Sequence, residues 1–132
     1  MHASDNDLEI LEHTDAWGTL LQAKDDGVIS HVGLSGKSPA AAKWALDHHA
    51  DALMVPWNQQ DQSHTEILDE AATREVKIFV KKGLNSGQLS AAASLRWMLE
   101  DPRIHAVVVG SLNLDHMREN LEVAKATRPN QC

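Results

Sequence analysis

Tyrosine is absent from the 132-residue chain, and phenylalanine and cysteine occur once each. The lone cysteine is the last residue, Cys132, which excludes a disulfide framework and a thiolate metal site. Positive charge is also short. Twelve Lys and Arg face nineteen Asp and Glu, a formal net charge of −7. A deficit of that sign argues against nucleic acid or an anionic membrane surface as partner. Apolar runs are brief, so no stretch reads as a membrane span. Met1 leads straight into His2, Ser4 and acidic or amide residues, unlike a signal peptide. What is there is 42% hydrophobic and 23% charged, a globular balance. The expectation is one soluble, cytoplasmic domain with a modest core.

Helical and strand-like segments alternate along the chain. Leu8 to Asp26 reads as a helix with Ile10, Thr14, Trp17 and Leu21 on one stripe, and Gly27 stands where a left-handed cap is wanted. A strand is expected over about 28–34. Ser38 and Pro39 open a second helix through about His49, with Ala41, Ala42, Ala45 and Leu46 inward. Ala52 to Val55 is the next strand, stopped by Pro56. Ser63 and Glu66 have capping-box spacing before a helix striped by Ile67, Leu68, Ala71 and Ala72. Ile78 to Val80 forms a third strand, and the turn-rich loop 83–87 follows. Ser90 caps a helix carrying Leu95, Met98 and Leu99, ended by Asp101 and Pro102. Ala106 to Val109 is the fourth strand. A last helix with Leu114, Met117, Leu121 and Ala124 runs until Pro129. Short, continuously apolar strands separated by helices describe a parallel α/β sheet. A closed eightfold barrel takes ~250 residues. The chain length therefore allows a small open α/β domain or half a barrel.

Ligands of such sheets gather at the C-terminal ends of the strands. Here the loop from Gly83 to Gly87, with Ser86 inside it and Lys81 and Lys82 before it, suits an anion. So does Gly110-Ser111, which runs into the free amides of a helix. Plain turns and caps explain both loops equally well. Gly36-Lys37-Ser38 hints at a phosphate loop, but the required earlier glycine is His31. Gly33-Leu34-Ser35 resembles part of a nucleophile elbow whose last glycine is Lys37 instead. The adjacent His48 and His49, and the pair His64 and Glu66, diverge on their helices, so no metal site is expected and the histidines read as mostly surface residues. Trp17, Trp44 and Trp97 read as packing residues, and Trp57 as a pocket lining.

Taken together, four segments resemble the C-terminal half of an aldo-keto reductase. They are 27–35, 82–87, Leu95 to Leu99 with Asp101-Pro102, and 109–111 through 119–121. The resemblance implies a half TIM barrel, four βα units preceded by a helix, supplying strands five to eight of a (β/α)8 barrel. It also implies an NADP(H) cofactor at the barrel mouth. Ser35 matches a serine that holds the nicotinamide carboxamide. Lys82, Leu84 and Ser86 match the loop that touches the pyrophosphate. Ser111 and His116 match the partners of the 2′-phosphate, and Glu119 and Asn120 those of adenine. The chain departs from the family pattern in three places. Gly36 stands for an asparagine, Met54 for a glutamine, and Lys81 for the aromatic that stacks on nicotinamide. Of the catalytic Asp, Tyr, Lys and His, only His2 has a counterpart here.

Half a barrel leaves two sheet edges with unpaired backbone and an open inner face, lined on this reading by Met54, Val80 and Val108. A homodimer or larger homo-oligomer that closes an eight-stranded barrel is the expectation. Three functions stay open: the C-terminal half of an NADP-dependent reductase, inactive alone; a non-catalytic half-barrel scaffold, natural or engineered, that self-associates; and a small open-sheet phosphate binder unrelated to reductases.

Overall fold

The computed structural model describes residues 1–3, 5–84 and 90–128. Its elements are α1 (Asp7–His13), α2 (Ala16–Asp25), β1 (Gly33–Ser35), α3 (Pro39–Asp47), β2 (Ala52–Pro56), α4 (Thr65–Thr73), β3 (Lys77–Lys81), α5 (Ala91–Glu100), β4 (Ala106–Val107) and α6 (Leu114–Thr127). The strands form one parallel sheet in the order β1-β2-β3-β4. Each neighbour in sequence is the neighbour in space, with a helix in every crossover, as in successive units of a βα barrel.

Side chains alternate across the sheet. Leu34, Leu53, Val55, Ile78 and Val80 are buried and share the face that α3, α4 and α5 cover. Gly33, Ser35, Met54, Phe79 and Lys81 are half-buried on the other face. The register places Ser35, Met54 and Phe79 in one row. Val80 therefore belongs to the helix-covered core, fully buried, and not to the open inner face expected for it. Parity along the strand decides this, since Phe79 and Lys81 take the opposite face. Met54 and Val108 do remain partly open, Val108 at 53% exposure.

Local competition moves several boundaries. The single helix expected over 8–26 is two, because Thr14 is extended. Its hydroxyl donates to the Ile10 carbonyl at 2.6 Å, as such side chains do when they compete with a helix. The first strand begins only at Gly33. Ahead of it the Asp51 carboxylate accepts from the Val32 amide at 2.7 Å, and Val28 is exposed. The box expected from Ser63 and Glu66 does not form. Ser63 Oγ donates to Asp61 at 2.7 Å, and His64 occupies the cap position. The fourth strand is shortened to Ala106–Val107.

The edge beside β1 is not free. Met1 to Ala3 run parallel to it: Ala3 donates to the Ser35 carbonyl at 3.0 Å, and Ser35 donates to the Met1 carbonyl at 2.8 Å. At the other edge, α6 buries no residue. Arg128 beyond its end ties it down, donating to the carbonyls of Leu99, Asp101 and Ile104 at 2.6–2.8 Å.

Candidate functional site at the rim of the sheet

Two groups of side chains form at the C-terminal ends of the strands. The first centres on Ser35 Oγ. His2 Nδ1 lies 3.1 Å from it on the N-terminal segment, and Lys81 Nζ donates to it at 3.1 Å from the end of β3. Lys81 is half-buried, and burial, followed by the charges of Lys82 and Lys37, lowers its pKa. Sequence reasoning placed Ser35 and His2 but missed their convergence with Lys81. The available signal was strand parity, which puts Ser35 and Lys81 on one face.

The second group lies where the loop after β3 meets the start of α6. Leu84, Ser111, His116, Glu119 and Asn120 line one hollow of about 200 Å³, together with Gly110 and Ala91. This brings together most of the residues that the resemblance assigns to the adenosine end of a nucleotide. Lys82 is exposed beside the loop with φ of 55°, and its carbonyl accepts from Asn58 Nδ2 at 3.1 Å. Ser86 lies outside the described residues. The start of α6 is less open to an anion than its sequence implied. Asn113 Oδ1 already accepts from the amides of Asp115 at 2.8 Å and His116 at 3.4 Å.

A third feature was missed altogether. Asp7, 2% exposed, projects its carboxylate into the start of α3. It accepts from the amides of Lys37 (2.6 Å), Ser38 (2.8 Å) and Leu8 (2.9 Å) and from Ser38 Oγ (2.7 Å). The place a phosphate loop would hold for its ligand is thus filled by the chain's own carboxylate. Burial raises the pKa of Asp7, and these bonds outweigh it, leaving the carboxyl lowered. The same contact explains Gly36. A Cβ there would lie 3.1 Å from Asp7 Oδ2 and 3.3 Å from Leu34 Cδ2, so an asparagine would press on both by a few tenths of an ångström.

Other residues sit differently from expectation. Trp57 is packed into the core. It is 2% exposed, its ring stacks on Trp97 at 5.9 Å between centroids, and Arg103 lies 5.8 Å from its ring centroid. His64 is not a surface residue but fully buried, with Nε2 unpartnered and its pKa lowered by burial first. Trp17 is a packing residue as expected, its Nε1 donating to the His48 carbonyl at 2.8 Å.

A parallel sheet in simple sequential order, helices on one face and polar side chains at its C-terminal rim together define half of a βα barrel. Two solved structures of a Pseudomonas aeruginosa protein assigned to the aldo-keto reductases match 96% of this chain at 34% identity and a TM-score of 0.85. The chain spans 50% of one and 49% of the other, about half their length. An aldo-keto reductase from Bacillus halodurans, in its holo form, has the same fold over 96% of this chain and 54% of its own, with TM-score 0.78 and 19% identity. No family model and no curated protein matches the chain. The chain has the fold of half an aldo-keto reductase barrel.

Proposed function

We propose that the chain is the C-terminal, cofactor-side half of an NADP(H)-dependent aldo-keto reductase and contributes to carbonyl reduction only within a completed barrel. The hollow shared by Leu84, Ser111, His116, Glu119 and Asn120 carries this reading. A hydroxyl and an imidazole beside a carboxylate and a carboxamide suit a phosphorylated ribose and the amino edge of adenine. Bound NADP(H) would supply the hydride. Toward the nicotinamide the residues fit less well: Gly36 and Met54 offer no amide, and Lys81 no aromatic face. Affinity therefore rests on the adenosine end. The chain has no tyrosine to serve as the general acid that the family resemblance implies, so that group must come from another half.

The alternative, scaffold reading has its own partner: a second copy of the chain, related by a twofold axis along the barrel, which closes the sheet but, lacking tyrosine too, does not supply that acid. Leu112, Leu114, Met117 and Leu121 are 107%, 72%, 42% and 50% exposed, next to the short β4 edge. A twofold operation sets this side of each copy against the β1 side of the other. The edge strand and the apolar residues are then covered in one step.

Calorimetric titration with NADPH and NADH tests the cofactor reading. NADPH is expected to bind and His116→Ala to weaken it about tenfold, a loss of ~1.4 kcal/mol, while NADH is little affected. Absence of heat with either nucleotide at millimolar concentration overturns it, and with a dimer present leaves the self-associating scaffold as the function. Turnover of an aldehyde by the purified chain overturns the dependence on a second half.

A further inference from the structure

We propose that Lys81 is a nucleophilic amine that condenses with small carbonyl compounds carrying an anionic group, with Ser35 and His2 passing the protons. The idea goes beyond the cofactor reading and needs no nucleotide. Its ground is the meeting of three distant segments at one point on the open face of the sheet. Lys81 Nζ reaches Ser35 Oγ at 3.1 Å, and His2 Nδ1 lies 3.1 Å from the same oxygen. Lys24, Lys37, Lys43 and Lys125 each hold a carboxylate. Among the described residues no carboxylate pairs with Lys81, and Ser35 Oγ is the acceptor its ammonium has. Burial and the neighbouring cations Lys82 and Lys37 favour the neutral amine, with Asp7 opposing them. A desolvated site and an adjacent cation are the means by which an amine becomes a nucleophile at neutral pH. A hollow of about 290 Å³, lined by Ser35, Ala52, Met54 and Phe79, gives a short carbon chain room on the same face. Lys82, exposed one residue further on, offers a charge for a carboxylate.

The step balances without an oxidant or reductant. The Nζ lone pair attacks the carbonyl carbon and the C–O π bond breaks. One N–H proton moves to the oxygen through Ser35, giving a carbinolamine. The hydroxyl then leaves as water with one further proton, delivered from the side of His2. The nitrogen lone pair forms the C=N bond of a protonated imine.

The test uses the wild-type chain, glyoxylate and sodium cyanoborohydride at pH 7, without nicotinamide nucleotide, followed by peptide mapping. Lys81 is expected to be carboxymethylated several-fold faster than the exposed, ion-paired Lys125, since burial and the neighbouring cations raise its share of free amine. Ser35→Ala is expected to slow labelling at Lys81 and leave Lys125 unchanged. Equal or slower labelling of Lys81 in the wild-type chain overturns the proposal. So does a Ser35→Ala variant that labels at the wild-type rate. The first comparison is internal to one sample, so it holds whether or not a variant folds, and NADPH binding stands or falls separately.

Discussion

Asp7 and His64, two buried titratable side chains beneath the rim, tie the stability of the fold to pH in two separate windows. His64 is held neutral, its pKa lowered chiefly by burial. The unfolded chain therefore takes up a proton near pH 6.5 that the folded chain refuses. Stability from this group is complete above that pH and is lost as pH falls toward the folded value. His105 acts in the same window. Its pKa is lowered by burial and by Lys77, and its Nδ1 accepts from the Ile78 amide at 3.1 Å, a bond the protonated ring cannot accept. Asp7 is the acid-side counterpart. Its lowered carboxyl contributes fully above about pH 4, and that contribution is lost progressively as pH falls from there toward the folded value. Urea unfolding from pH 8 to pH 5 is expected to show stability falling from about pH 6.5, by at most ~1.4 kcal/mol per pH unit for the buried His64 and by much less for the exposed His105. His64→Gln should flatten part of that slope. A flat wild-type curve, or a variant with the wild-type slope, contradicts the assignment to buried His64.

At the scale of elements, three helices end in the same way with very different residues. After α2, Val28 donates to the Ala23 carbonyl at 2.9 Å across Gly27, whose φ is 73°. After α3, Ala50 donates to Ala45 at 3.0 Å across His49, with φ of 64°. After α4, Val76 donates to Ala71 at 2.9 Å across Glu75, with φ of 59°. Each is a Schellman closure, and only Gly27 has the residue that closure favours. Both His49→Gly and Glu75→Gly are expected to raise stability by up to ~1 kcal/mol, and Gly27→Ala to lower it by ~1 kcal/mol. Denaturant midpoints check this, and a loss on either glycine substitution contradicts it. The same comparison shows what the sequence could disclose. Gly27 announced its cap, whereas His49 and Glu75 gave no sign of theirs. The succession of helices and strands was readable because apolar periodicity is local. The boundaries at Thr14 and Ser63 were not, because one hydroxyl chose a different partner. Asp7 with Ser38 and Lys81 with Ser35 join residues 31 and 46 positions apart, and no local pattern carries such pairs. The hollow at α6 was more legible, since all its residues but Ala91 lie in two segments that the family resemblance already marked.

For the whole molecule, the two sides of the sheet are unequal in a way that bears on how it closes. Beside β1, Met1 to Ala3 already take up the amide and carbonyl of Ser35. Beside β4, the ladder stops after Val107, and only the Val108 amide continues it, donating to the Val80 carbonyl at 2.8 Å. Leu112 and Leu114 stand exposed at the start of α6, and the half-exposed Met117 and Leu121 line a shallow hollow with Leu95, Leu99 and Val107 of the same chain. Water contact on such residues favours association, because covering them removes apolar area without disturbing the core. Sedimentation equilibrium at micromolar concentration is therefore expected to give twice the 14.5 kDa chain mass. Replacing both Leu112 and Leu114 with Gln should return the mass to one chain while far-ultraviolet dichroism stays unchanged, since both side chains are exposed within the chain and Arg128 anchors α6 through three carbonyls. A wild-type chain that sediments as a monomer contradicts twofold closure. A double variant that stays dimeric contradicts a seam built on the start of α6.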